Sequence, residues 1–258
     1  MKELNVITKG KEKNKGKSVL LFSGGMDSVM FYRLLNPDIL LYIPTGSNYE
    51  AIETKKIKMM ADTGIIDGSK LIILDDVLNL SMFERDDLIV PNRNAYLILM
   101  ASHFGETIYL GSVYGDRSLD KDKTFYKRME ALLNHMWQEQ HWAEQRIFNI
   151  SSPYKDTTKT ELIKEYINAG GDILNVINSY SCYRGLEVPC GICKPCVKKA
   201  VSLICNDIKI PEDYYENDPL SAGWINQVLP EMKKGIYRGI KEDSEFIKAL
   251  KIKGCKDV

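Results

Sequence analysis

Two short stretches of the chain carry residue types and spacings that do chemistry. The first is SCYRGLEVPCGICKPC, residues 181–196, where Cys182, Cys190, Cys193 and Cys196 follow the spacing C-x7-C-x2-C-x2-C. Four thiolates suit tetrahedral Zn2+, and each C-x2-C step folds as a tight knuckle. Four protein ligands leave the metal no open position, so one structural Zn2+ per chain is expected rather than a water activator. An iron–sulfur cluster and four buried free thiols are the other readings of this spacing. Cys205 and Cys255, the rest of the six cysteines, fall outside it.

The second stretch is SVLLFSGGMDSVMFY, residues 18–32. An apolar run stops at Ser23-Gly24-Gly25, meets Asp27 and Ser28, and turns apolar again. A glycine pair between strand and helix lets the backbone approach a ligand and aim its N–H groups at it. The helix that follows points its positive end at the same place. Phe22, Ser23, Gly24, Gly25, Met26, Asp27 and Ser28 therefore form a candidate seat for the phosphates of ATP. Asp27 fits either as a helix cap or as a ligand of the Mg2+ that accompanies ATP. The plainer reading is a strand–helix turn with serine and aspartate caps. No Gly-Lys-Ser/Thr follows and G-x-G-x-x-G is missing, so this is neither a Walker loop nor a dinucleotide fingerprint.

These residues need elements to hold them. SVLLFS reads as a buried strand, 27–36 as a helix ended by Pro37, and 38–45 as a strand. A helix from 49 to 63 closes at Gly64. Strands follow over 70–76, 107–112 and 145–151, and helices over 92–105, 124–142 and 158–169. Alternation of this kind predicts an α/β fold with a doubly wound parallel sheet, its ligands lying outside the carboxyl ends of the strands. We divide the chain into a lead-in (1–17), an ATP-binding α/β unit (18–180), the cysteine segment (181–205) and a helical C-terminal extension (206–258).

Lys plus Arg equals Asp plus Glu at 35 each in the 258 residues, so no global field draws in nucleic acid or anionic lipid. No apolar run approaches the ~20 residues of a membrane helix, and the lysine-rich start has no signal-peptide core. A cytoplasmic protein is expected, and in that reducing compartment clustered cysteines favour metal over disulfides.

FSGGMDS resembles the pyrophosphate loop of the PP-loop ATP pyrophosphatase superfamily. That loop followed by the cysteine cluster resembles the 7-cyano-7-deazaguanine synthase (QueC) family. SCYRGLEVPCGICKPC is similar to its S-C-Y-x-G … P-C-G-x-C-x-x-C, VPNRN (90–94) to its V-P-x-R-N, and SPYKDTTKTEL (152–162) to its T-P-L-x-D-x-T-K-x-E-[IL]. The resemblance covers about residues 18–204. It implies a ligase that activates 7-carboxy-7-deazaguanine with ATP and Mg2+. Ammonia then gives an amide, and a second ATP gives the nitrile that feeds queuosine-type biosynthesis.

With no room for a glutaminase domain, free ammonia is the implied nitrogen source. A homodimer is implied as well, and nucleic acid is not required. Asp27, Arg93 and Lys159 are the candidate catalytic residues, Arg93 and Lys159 as cations for developing charge, with exposed helix-surface cations as the plainer reading of those two. Thr158 is placed as a helix cap, and Asp116 and Asp122 as contacts to base or metal or as a solvated loop.

The chain departs from the family in two loops. PTGSNYEAIE stands where the family has a Y-G-Q-x-H-like stretch, and LDKDKTFYKR where it has G-Y-P-D-C-R. Both border the expected acceptor pocket. Alternatives are therefore a relative that stops at the amide or transfers the activated deazaguanine to a macromolecule, or a PP-loop enzyme acting on tRNA.

Overall fold

The computed structural model describes residues 14–255, so residues 1–13 of the expected lead-in lie outside the described residues. The chain runs β1 (Ser18–Leu21), α1 (Met26–Leu35), β2 (Ile39–Tyr42), α2 (Glu50–Asp62), β3 (Leu71–Ile73), α3 (Arg93–Ala101), β4 (Thr107–Tyr109) and α4 (Lys123–Met136). It continues through β5 (Asn149–Ser151), α5 (Lys159–Asn168), α6 (Ile173–Asn178), α7 (Lys194–Ile204), α8 (Trp224–Lys233) and α9 (Ile240–Ile252). The strands form one parallel sheet in the order β3-β2-β1-β4-β5.

Strand side chains alternate between two helical layers, as the period of two demands. Leu20 and Leu40 pack under α1, α2, α5 and α6. Val19, Ile39, Leu41, Ile108 and Ile150 pack under α3 and α4. Each fully buried leucine or isoleucine of this kind contributes about 1.5–3 kcal/mol. A third apolar cluster joins Val197 and Val201 of α7, and Cys205 just after it, to Ile225, Met232, Phe246 and Leu250 of the C-terminal helices.

The strands expected over 38–45, 70–76 and 107–112 pair only over Ile39–Tyr42, Leu71–Ile73 and Thr107–Tyr109, and two elements further along are also shorter than their apolar patterns. The helix expected over 124–142 stops at Met136, and only Asn149–Ser151 of the stretch 145–151 pairs as strand. The cause is shared. The Arg146 N–H donates to Trp137 O at 3.0 Å and the Phe148 N–H to the Asn134 side chain at 2.7 Å. Those bonds satisfy the end of α4 and take residues 146–148 out of the sheet. The helix expected over 92–105 likewise covers only Arg93–Ala101. No helix among the described residues is long and apolar enough to cross a membrane.

Candidate functional site

The chain leaves β1 toward β2 and β3, then crosses back to β4 on the other side. That reversal opens a crevice at the carboxyl ends of β1 and β4, where doubly wound sheets take their ligands. A cavity of about 1000 Å3 lies there. Phe22, Ser23, Gly25, Met26, Asp27 and Ser28 all border it.

The turn after β1 is built for close approach. Gly24 has φ +66, and a Cβ there would meet Ile57 Cγ1 at 2.8 Å, so only glycine fits. Gly25 opens α1 without a side-chain cap, so the first N–H groups of that helix keep no competing side-chain partner. Asp27 does not serve as the cap. Ser23 is exposed to the crevice. Phe22 and Met26 are buried in the core beneath the turn, and the buried Ser28 hydroxyl donates to Gly25 O at 2.9 Å.

Asp27 instead grips the Lys159 ammonium with both carboxylate oxygens. Lys159 is the first residue of α5, whose cap is Thr158 in a capping box with Glu161. A cation in the first turn opposes the helix dipole. Its position is explained by Asp27 and by the crevice it faces. Beside this pair, Asp116 lies 3.3 Å from Lys198 and 3.9 Å from Lys121. Burial would raise the Asp116 carboxyl, but Lys198, Lys121, Lys159 and Lys155 hold it far below the usual carboxylate range. Asp122 has another role. It caps α4, accepting from Phe125 N–H at 2.6 Å, and stays out of the cavity.

The lining contributed by α2 and α3 is different. Arg93 opens α3 after Asn92, which is left-handed at φ 61, and donates to the Tyr49 hydroxyl at 2.6 Å. Asn94, next in VPNRN, donates to Asp120 at 2.8 Å and so ties the loop after β4 to α3. Arg93 and Lys159 thus border one cavity from different walls. Near Arg93 stands Glu53, with only a long hydrogen bond from Tyr42 at 3.4 Å. Burial pushes the Glu53 carboxyl up from 4.5 to about 8, with Arg93 opposing the rise and Glu50 adding to it.

An acid raised in the folded state is stable while protonated. Its contribution is therefore lost as pH climbs from the unfolded value of 4.5 toward 8. Urea unfolding at pH 5 and pH 8 should show wild type losing stability over that interval while Glu53→Gln loses less. Parallel losses in the two proteins would remove Glu53 as the cause.

The cysteine segment closes the cavity on a third side, through Cys182, Tyr183 and Cys193. The ligand atoms of Cys182, Cys190, Cys193 and Cys196 lie within 4.8 Å of one another. The backbone N–H groups of Arg184 and Cys190 each donate to Cys182 Sγ at 3.4 Å, and Gly191 takes φ +79 in the knuckle. An all-thiolate set, three of its four members buried, is a donor set that could hold a zinc ion. Cys193 holds the N-cap position of α7 and Cys196 lies in its first turn, so the cluster fixes the start of that helix. Tyr183 stacks on Tyr49 with ring centroids 5.5 Å apart, which links the cluster to Arg93. Cys205 is buried with its thiol on Glu245 O, and Cys255 is exposed.

Glu53, Tyr49, Lys198 and Arg238 border the cavity without having been singled out by sequence. For Lys198 and its neighbour Lys199 a signal existed: two lysines sit inside an otherwise apolar helix, VKKAVSLI, directly after the cysteines. Lys199 donates to Ile177 O and Ser179 O at 2.7 and 2.6 Å and so holds the end of α6.

The family model described as "Queuosine biosynthesis protein QueC" matches residues 45–206. Curated relatives include 7-cyano-7-deazaguanine synthase 2 of Colwellia psychrerythraea, 25% identical over 228 residues, covering 77% of this chain and 98% of that protein. The 7-cyano-7-deazaguanine synthase of Marinobacter nauticus is 25% identical over 223 residues, covering 76% and 96%. That of Psychromonas ingrahamii is 26% identical over 227 residues, covering 77% and 97%.

Proposed function

The chain belongs to the QueC family of queuosine biosynthesis proteins, and from that membership we propose that it is an ATP-dependent ligase turning 7-carboxy-7-deazaguanine and ammonia into 7-cyano-7-deazaguanine. One observation carries the reading. The S-G-G-x-D-S turn lies outside the matched span 45–206, yet it borders the same cavity as Arg93, Lys159, Cys182 and Cys193 from within that span.

The chemistry proceeds in balanced steps. A carboxylate oxygen of the acid attacks the α-phosphorus of ATP, and pyrophosphate leaves. Ammonia attacks the acyl carbon, AMP departs with that oxygen, and a proton is shed to give the amide. The amide oxygen attacks the α-phosphorus of a second ATP, pyrophosphate leaves, and loss of AMP with two protons then gives the nitrile. Both oxygens of the original carboxylate end in AMP.

The N–H groups at the start of α1 and the Ser23 hydroxyl receive the phosphates. Lys159 steadies charge growing on the transferring group, with Asp27 orienting it. Arg93 serves the acyl side from the start of α3. Mg2+, when bound, would offset charge on the phosphates, with Asp27 as its candidate carboxylate ligand once Lys159 turns to the transferring group. Zn2+ on the four cysteines is structural. A homodimer belongs to the same proposal.

The test is the product formed from the acid, ATP, Mg2+ and ammonia, read by mass. One water lost and one ammonia gained marks the amide, and a second water lost marks the nitrile. Acid labelled with oxygen-18 in its carboxylate should yield labelled AMP from both steps. An amide that accumulates would place the chain among relatives that stop there. Failure to consume the acid would overturn the reading.

A further inference from the structure

Residues beyond 206 lie outside the matched family span, yet they return to the cavity and supply part of its wall. After α8 the chain turns at Gly235, and Tyr237 and Arg238 reach the lining before α9 begins. This return is anchored on both sides. The Asp243 carboxylate accepts the backbone N–H groups of Tyr237 and Arg238 at 2.9 and 3.0 Å. Arg117, in the loop after β4, donates to Tyr237 O.

Arg238 is held there with capacity to spare. One end of its guanidinium donates to Gly115 O at 3.0 Å. Its Nε is buried and lacks a hydrogen-bond partner, lying 3.8 Å from Glu242 Oε1. Glu242 is shared with Lys198, 3.3 Å away, and Lys198 is in turn shared with Asp116. The ion pair of Arg238 with Glu242 is long and shared with Lys198, so the guanidinium charge is only partly matched until an anion arrives. The surroundings agree in sign. Across the whole lining, nine lysines and arginines face six aspartates and glutamates.

We infer that the C-terminal segment completes an oxyanion site in the cavity, with Arg238 binding either the phosphates of the nucleotide or the carboxylate of the acceptor. This rests on the reading of the cavity as a seat for ATP-driven carboxylate activation. A guanidinium fork matches either oxyanion through paired N–H donors, which an ammonium does not reproduce.

The test uses the full chain and its Arg238→Ala and Arg238→Lys variants. Calorimetry measures binding of inorganic pyrophosphate, MgATP and 7-carboxy-7-deazaguanine, and thermal melting reports folding. At least one oxyanion should bind about tenfold more weakly to Arg238→Ala, and Arg238→Lys should lie between the two. Loss confined to pyrophosphate and MgATP assigns Arg238 to the phosphates. Loss confined to the acid assigns it to the acceptor. Variants that bind all three probes as wild type does overturn the inference, also where their melting temperature falls, because Arg238 is then only a strut for the segment. If Arg238→Ala does not fold, Arg238→Lys against wild type decides. Wild type that binds pyrophosphate and MgATP but never consumes the acid counts against the proposed reaction, while the pyrophosphate comparison still reads Arg238.

Discussion

Serine in place of Cys190 should leave a chain recovered insoluble or unfolded, without bound zinc. Cys190 is fully buried, and its carbonyl accepts from the Asn217 side chain at 3.0 Å. Structural zinc contributes about 10–16 kcal/mol of apparent binding energy in small zinc domains, comparable with the whole stability of an ordinary fold. Here the loss would spread. The cluster starts α7, and α7 carries the apolar face on which α8 and α9 rest. Soluble yield, metal content and a urea melt check this together. A folded, metal-free Cys190→Ser protein with the wild-type melt would falsify the structural role.

The second large effect is on turnover. Lys159→Ala should lower kcat/KM by about 100- to 1000-fold, the scale of losing one preorganised group that stabilises transition-state charge. Stability should fall far less than turnover, although Asp27 and Asp116 each lose a cation. The Thr158–Glu161 capping box does not use the Lys159 side chain, and removing a cation from a first turn relieves an opposition of about 0.3–1 kcal/mol. Asp27, left without its partner, keeps the favourable end of α1 beside it. Steady-state rates and urea unfolding measure the two quantities separately. A Lys159→Ala enzyme that turns over normally would return the residue to a purely structural pairing with Asp27.

The sequence made the sheet legible because its strands are apolar runs punctuated by Gly, Pro and Asn. The turn after β1 was legible because Gly24 and Gly25 stand between such a run and a helix. The cysteine cluster was legible from spacing alone. What stayed hidden comes from distance along the chain. Arg238 meets Gly115 across more than a hundred residues, and nothing local in KKGIYRGIKED marks it. Glu53 looks like any acid in the first turns of a helix, and only its burial beside Arg93 of α3 sets it apart. Asp122 misled because it sits in a charged loop, where capping a helix and meeting a ligand ask for the same residue type.

α7 binds several tasks to one rotation. Cys196 turns toward the other thiols, Lys198 toward Asp116, Lys199 toward the end of α6, and Val197 and Val201 toward the C-terminal helices. Each residue advances the helix by about 100°. One residue added or removed between Cys196 and Lys198 would therefore swing the lysines and valines together off their partners while the thiols stayed in place. Descent with change is open to this helix by substitution at single positions, but closed to it by insertion or deletion. The loop at 138–145, which lies outside the cavity lining, carries no such constraint, and there length can change.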